Sequence, residues 1–420
     1  MPAIDRNNEK FLCIEGLPIT NLSAEFGTPL YVYSARGISE DYRKFQKAVS
    51  PLGGKINFAV KANSVIGVLA LIKNLGGGAD IVSIGEMERA QAAGISPSEM
   101  VFSGVGKTAH EIHRALKAGI GQINAESAAE VDSISNIAKS IGMVASVALR
   151  INVDVDPKTH KKISTGKRET KFGISTYDDE AKELYLRLSS DPNIKPAGLA
   201  VHIGSQICDL LPFEHAYTEL RDFAQYLRSI NLKVPTLDLG GGLGVDYHNL
   251  TSTDFTAYGN LVAKLFVGQG FSISFEPGRS LVANNGLLLT KVIFVKQGHN
   301  KRFVIVDAGM NDLIRPTLYD AHHQIVTAFP PEPPMENVDI VGPICETGDY
   351  LGLNRKMPKL HIGDELAVLS TGAYGAVMGS NYNSRPLAAE VMVYNGRGYL
   401  LRASTPISDM IASETIPDFD

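Results

Sequence analysis

Cysteine is scarce in this sequence. Of 420 residues only Cys13, Cys208 and Cys345 carry a thiol. An odd number without paired spacing supports neither a disulfide framework nor a cysteine-rich metal site, and suits a reducing cytoplasm. Positive charge is not in excess either: 40 Lys and Arg stand against 45 Asp and Glu, a formal charge of −5. That balance argues against an electrostatic grip on nucleic acid or anionic lipid. No uninterrupted apolar run approaches the roughly 20 residues that span a bilayer. The opening MPAIDRNNEK lacks the basic-then-apolar pattern of a secretory leader, so neither secretion nor membrane insertion is expected. There is no internal repeat and no low-complexity tract; the nearest, the basic stretch from Lys158 to Lys171, reads as a loop. What remains is an ordinary globular composition, 44% hydrophobic and 20% charged, with small-molecule chemistry as its default.

At roughly 150 residues per domain the length suggests two or three units, and an α/β barrel takes about 250 as one. Two domains are therefore expected. Between Lys55 and Glu276, short β-branched or apolar runs alternate with stretches of helical period, the pattern of a parallel sheet with helical crossovers. Strand candidates begin at Ile56, Asp80, Met100, Gln122, Val147, Gly198, Thr236 and Ser272. About eight is the number that closes a (β/α)8 barrel. Stretches such as AHEIHRALKAG and SAAEVDSISNIAKSIG space apolar residues by three and four and end at glycine, as outer helices do. After Asn285 the style changes to extended runs broken by Gly, Asn and Pro turns, which predicts a second, mainly β domain of sandwich or Greek-key type. The expected division is residues 1–35 as a segment pairing with the β domain, 36–281 as the barrel and 282–420 as the β domain.

In such a barrel the active site forms at the carboxyl ends of the strands. The first strand runs into Lys61, where desolvation would lower the amine's pKa and free it as a nucleophile toward an aldehyde. A strand-end Lys snorkelling to solvent is the plainer reading. The sixth strand ends at His202, ahead of Ser205, and the seventh in Gly240, Gly241, Gly242, Leu243 and Gly244. Backbone N–H groups of a glycine turn can cradle phosphate, though such turns also serve plain connections. The eighth strand ends in Glu276-Pro277-Gly278-Arg279, where an ion pair is the plainer reading. An amine, a flat imidazole, a phosphate turn and a carboxylate around one mouth together suit pyridoxal 5′-phosphate, which is an aldehyde, a phosphate ester and a pyridine at once.

FAVKAN at 58–63, GADIVSIGE at 78–86, HIGSQI at 202–207, LGGGLG at 239–244, EPGR at 276–279, CETGD at 345–349 and GAYG at 372–375 stand in order along nearly the whole chain. Together they resemble the pyridoxal-phosphate-dependent decarboxylases of the alanine racemase-like fold, the family of ornithine, lysine and arginine decarboxylases. Within it, the branch this chain most looks like converts meso-2,6-diaminopimelate to L-lysine and carbon dioxide, the last step of lysine biosynthesis. The resemblance implies a barrel, a β domain and a cytoplasmic homodimer with active sites shared across its interface.

By this resemblance Lys61 carries the cofactor on its amine, His202 stacks on the pyridine, and Ser205, Gly241, Gly242 and Tyr374 bind phosphate. Glu276 pairs with the ring nitrogen, Gly278 and Arg279 line the cofactor, and Asp80 orients the pocket. Substrate recognition falls to Arg279, Arg315, Tyr319, Glu346 and Tyr374. Arg315 offers a planar fork for the carboxylate that stays, and Glu346 an acceptor for the distal ammonium. Cys345 corresponds to the proton donor, and the partner subunit would supply Cys345 and Glu346. Residues 156–173 resemble a mobile flap. No metal is implied. The rivals are a decarboxylase of ornithine, arginine or another polyamine precursor, whose substrates lack the second carboxylate, and a catalytically silent regulatory homologue, which need not keep Lys61 or Cys345.

Overall fold

The computed structural model describes residues 3–157, 160–163, 165–166, 171–177, 179–251 and 253–419. Two compact units divide the chain: residues 39–246 with 251–281, and residues 1–38 with 247–250 and 282–420.

The first unit is a closed barrel of eight parallel strands: Lys55–Ala59, Gly78–Ile81, Met100–Phe102, Gln122–Ala125, Ala145–Asn152, Ile194–Ala200, Thr236–Asp238 and Ser272–Phe275. Each pairs with its neighbours in chain order, and the ring closes where Ser274 and Phe275 pair with Lys55 and Ile56. Local chemistry sets the crossover helices. Thr108 accepts from the Glu111 N–H while the Glu111 carboxylate returns to the Thr108 N–H, a reciprocal cap. That cap opens the helix Ala109–Ala118, and Gly119, in the left-handed region at φ 80°, ends it. The helix buries Ile112, Ala115 and Leu116. Losing such a cap costs about 1 kcal/mol. Phe45, Phe213, Tyr217, Tyr258 and Phe275 pack into one aromatic cluster, with ring centroids 5.6 to 6.3 Å apart. The Tyr217 and Tyr258 hydroxyls lie 2.8 Å apart, which satisfies both phenols in the core.

The second unit is mainly sheet. Its strand order is Tyr350–Pro358, Met335–Val341, Arg302–Val306, Gly286–Gln297, Leu30–Ser34, Ala389–Tyr394 and Arg397–Arg402. Glu365–Leu369 pairs both with Gly286–Gln297 and with Ile325–Thr327. The long strand Gly286–Gln297 serves two neighbourhoods: its first half pairs with Leu30–Tyr33 and with Glu365–Leu369, its second with Arg302–Val306. A register shift between Val292 and Phe294 turns it from one to the other. Leu30, Val32, Leu287, Leu289, Val391 and Val393 alternate into one core, all fully buried. Tyr247–Leu250, which the sequence reading leaves inside the barrel, belongs with this unit, because His248 stacks on His322 at 4.2 Å and Tyr247 meets His323 edge-on at 5.1 Å. The strand Tyr350–Pro358 went unread because Gly352 and a left-handed Asn354 (φ 51°) interrupt its alternation. Among the described residues no helix is long and apolar enough to cross a membrane.

Candidate active site

The carboxyl ends of the barrel strands collect buried polar groups. Lys61 sits in a short 3-10 turn, Val60–Ala62, directly after the first strand. Its Nζ lies 2.5 Å from Asp80 Oδ2, at the end of the second strand. The expectation of a desolvated amine is corrected here: the Lys61 side chain is 31% exposed, and it is Asp80 that is sealed off, at 0%. Asp80 Oδ1 lies buried with no partner among the described residues. A buried carboxylate with an open lone pair is costly unless something else pairs with it.

His202 lies two residues beyond the end of the sixth strand, Ile194–Ala200, rather than in it. Its Nδ1 accepts from the Gly241 N–H at 3.2 Å. Its carbonyl is gripped by Arg150 Nη2 at 3.1 Å and by Thr165 Oγ1 at 2.9 Å. Burial, then the nearby Arg150 and Lys61 cations, hold the imidazole well below its ordinary pKa. A neutral, flat ring is the result.

The glycine turn after the seventh strand is sterically obligatory. Gly240 (φ 64°) and Gly242 (φ 111°) occupy the left-handed region, and a Cβ on Gly241 would lie 2.2 Å from the Glu276 carbonyl. Its N–H groups are already employed in part, Gly240 donating to Asp238 Oδ1 at 3.0 Å and Gly241 to His202, while on the loop after the sixth strand the Ser205 N–H donates to the Ile163 carbonyl at 3.1 Å. The Ser205 hydroxyl accepts from Arg279 Nη2 at 3.0 Å, so a guanidinium stands at this turn.

Glu276, after the eighth strand, does not act as the Arg279 counter-ion that adjacency suggests. Burial, Asp238 and Asp80 push its carboxyl well above the usual range, and the proton bridges it to Asp238. Asn124 Nδ2 reaches Asp238 Oδ2 at 3.4 Å, and Ser103 Oγ reaches Glu276 Oε1 at 3.4 Å. Two carboxyls sharing a proton in the barrel form a site that can pass one to a basic nitrogen.

In the sheet unit, Arg315 opens the short helix Arg315–Tyr319 and is 5% exposed, so it is no surface cation. Its guanidinium carbon lies 5.2 Å from the Tyr247 ring centre and 5.8 Å from that of Tyr319. Thr317 Oγ1 donates to the Gly348 carbonyl at 2.5 Å, which ties this helix to the CETGD loop. Asp349 shapes that loop by accepting from the N–H groups of Ile344 and Met310 at 2.5 and 2.6 Å. Cys345 and Glu346 stand exposed on it. The Cys345 N–H donates to Asn383 Oδ1 at 3.0 Å, and Glu346 accepts from the Tyr382 hydroxyl at 2.6 Å. Tyr374 holds a left-handed backbone (φ 54°) between Gly372 and Gly375. Strain of that kind in a non-glycine residue concentrates at functional sites.

Residues 35–283 match the family described as pyridoxal-dependent decarboxylase, pyridoxal binding domain. The chain belongs to this family. Over 408 residues it is 48% identical to the diaminopimelate decarboxylase of Zymomonas mobilis, covering 96% of each chain. The diaminopimelate decarboxylase structure from Helicobacter pylori complexed with L-lysine superposes with a TM-score of 0.90 at 40% identity, covering 94% of this chain and 98% of that one. The corresponding structure from M. jannaschii in complex with L-lysine gives 0.92 at 34% identity and 99% of each chain. Pyridoxal phosphate is the family's cofactor, and the residues present fit it. An amine faces the aldehyde's chemistry, a turn too tight for any Cβ and a guanidinium suit the phosphate, and a protonated carboxyl suits the ring nitrogen.

Several residues here escaped the reading of the sequence. Arg150 pairs with Glu126 at 2.9 Å, both buried, and so holds the loop that carries His202. An arginine inside the apolar run VALRIN was the available signal, since an unpaired charge is not tolerated there. Asp238, Asn124 and Ser103 gave no signal beyond polarity at strand ends. Of the basic loop 156–173, residues 158–159, 164 and 167–170 lie outside the described residues. Its described part is tied down: Thr165 N donates to the Ile203 carbonyl at 3.1 Å and Val155 N to the Gly166 carbonyl at 2.9 Å.

Glu86, in GADIVSIGE, accepts from the Val82 N–H at 2.7 Å and is pushed up to about 7, first by burial and then by Asp80. Folded Glu86 therefore keeps a proton that the unfolded chain, near 4.5, has already released. Its contribution to stability is greatest below 4.5 and declines as pH rises to about 7. Glu86→Gln, which keeps the acceptor, should match wild type in urea midpoint at pH 5. At pH 8 it should gain on the order of 1–2 kcal/mol. A gap that does not grow with pH would contradict the raised pKa of Glu86.

Proposed function

We propose that this chain removes one carboxylate of meso-2,6-diaminopimelate to give L-lysine and carbon dioxide, with pyridoxal 5′-phosphate as cofactor. The observation that carries the reading is the full-length similarity to enzymes of that name, joined to a barrel whose strand ends bring Lys61 within electrostatic reach of His202 and Glu276.

When bound, pyridoxal phosphate supplies an electron sink for the pair that stays on Cα as carbon dioxide leaves. The chain's own residues do the rest. Lys61 Nζ holds the aldehyde end, and Asp80 keeps that side chain directed. His202, neutral and fixed by Gly241, offers a flat face to the ring. Glu276 would pair with the ring nitrogen and hold a proton there, with Asp238, Asn124 and Ser103 keeping its carboxyl in place. Ser205, Gly241, Gly242 and Arg279 hold the phosphate, with Tyr374 as a further contact, and Gly278 keeps the strand end clear. Arg315 binds the carboxylate that is retained, with Tyr319 beside it, and Glu346 accepts the distal ammonium. Cys345 Sγ delivers a proton to Cα. Its exposure in the single chain, on a loop held rigid by Asp349, supports its use by a second copy in a homodimer. A cytoplasmic setting supplies the reduced thiol this role needs.

The test is turnover of purified protein on meso-diaminopimelate, ornithine, arginine and lysine side by side, with and without added cofactor. Activity confined to diaminopimelate is the expected result; preference for ornithine or arginine would overturn it. In the same assay Arg315→Ala should raise KM for diaminopimelate by roughly ten- to a hundredfold, the loss of a charge-assisted contact, with kcat little changed. An unchanged KM would remove Arg315 from carboxylate recognition.

A further inference from the structure

His323 is completely buried, and its two ring nitrogens are both engaged. Nδ1 lies 2.9 Å from the Leu369 carbonyl, and Nε2 lies 3.3 Å from Arg315 Nε, which donates to it. A carbonyl only accepts and a guanidinium only donates, so one arrangement satisfies both: the proton is on Nδ1, and Nε2 presents a lone pair to arginine. The sheet holds Leu369, which ends the strand Glu365–Leu369 and pairs with Leu287. Its N–H also donates to the carbonyl of Gln324, next to His323, at 2.8 Å. The Tyr247 ring closes the cluster, edge-on to His323 at 5.1 Å and 5.2 Å from the guanidinium carbon of Arg315.

We infer that His323 is a positioning residue for substrate specificity: it fixes the guanidinium plane of Arg315 through Nε so that the retained carboxylate of the substrate meets an already ordered fork. Arginine carries several rotatable bonds, and a carboxylate that must first order them binds more weakly. The bond to His323 engages Nε alone, and an end-on carboxylate uses the two Nη groups, so both can be held together. The inference deepens the proposed substrate assignment and rests on it. It concerns recognition of the carboxylate, not the chemistry at Cα.

L-lysine keeps the carboxylate that is not removed, and 1,5-diaminopentane is the same molecule without it, so binding of the two isolates the contact. In the holoenzyme, His323→Asn preserves a donor near Nδ1 for Leu369 but has no acceptor reaching Arg315, whereas His323→Gln places its carbonyl oxygen near Nε2. His323→Asn should weaken L-lysine binding and raise KM for diaminopimelate by about tenfold, the value of one buried hydrogen bond to a charged group. Its kcat should stay within about threefold, and diaminopentane binding should be unchanged. His323→Gln should restore both to within about threefold of wild type.

An asparagine variant with wild-type lysine affinity, equal losses for lysine and diaminopentane, or a glutamine variant as impaired as asparagine would each overturn the inference. If Arg315→Ala leaves KM unchanged, the substrate assignment itself is wrong; if Arg315→Ala raises KM and His323→Asn does not, only the present inference falls. Should neither His323 variant fold, imidazole nitrogen shifts of 15N-histidine-labelled wild type decide it: a bare Nε2 on His323 supports the lock, and a protonated Nε2 overturns it.

Discussion

Lys61→Ala is expected to abolish decarboxylation, with turnover falling on the order of a thousandfold or more, as when a nucleophile that forms a covalent link is removed. The reason lies in the pocket's geometry. Nζ is the amine that stands at the end of the first strand with solvent on one side and Asp80 at 2.5 Å on the other. Alanine leaves the aldehyde of the cofactor without a tether, so the near-visible absorption of lysine-bound pyridoxal phosphate, and its loss on borohydride treatment, should disappear with activity. The same change leaves Asp80 buried and without its cation, which destabilises the fold. Lys61→Ala combined with Asp80→Asn should therefore recover thermal stability but not turnover. Carbon dioxide release by Lys61→Ala at the wild-type rate would refute the assignment.

Glu276→Gln is expected to lower kcat by about a hundred- to a thousandfold, the range seen when one preorganised electrostatic contact to a developing charge is removed. Glutamine keeps the shape and can still donate to Asp238, so the cofactor should remain bound and coloured. It cannot hand over a proton and stay behind as an anion. The structure makes Glu276 suitable for that exchange: burial, Asp238 and Asp80 all raise its pKa, so it carries the proton before the ring nitrogen arrives. Asp238 keeps its own anchors in the Gly240 N–H and Asn124. Coupling of this kind belongs to the pair, so Asp238→Asn should also shift the pH profile of the reaction rather than merely lower its rate. A Glu276→Gln enzyme within threefold of wild type would exclude the ring-nitrogen role.

The sequence by itself determined the eight strand positions, the mainly β character of the last third and the placement of Lys61, His202, Glu276 and the glycine turn just beyond strand ends. These are local signals: strands carry a period of two, helices one of 3.6, and a glycine at a strand end has few other uses. Only the tertiary structure decided who touches whom. It set Lys61 on Asp80 rather than in a dry pocket, Glu276 on Asp238 rather than on Arg279, and Arg315 in a buried nest with His323 and Tyr247 rather than on the surface. Those partners lie 19, 38, 8 and 68 residues away in the chain. Hydrogen bonding and burial depend on distance in space, and no propensity or spacing records which strand end will face which, so the neighbours that set each group's protonation became visible only once the barrel and the sheet had closed.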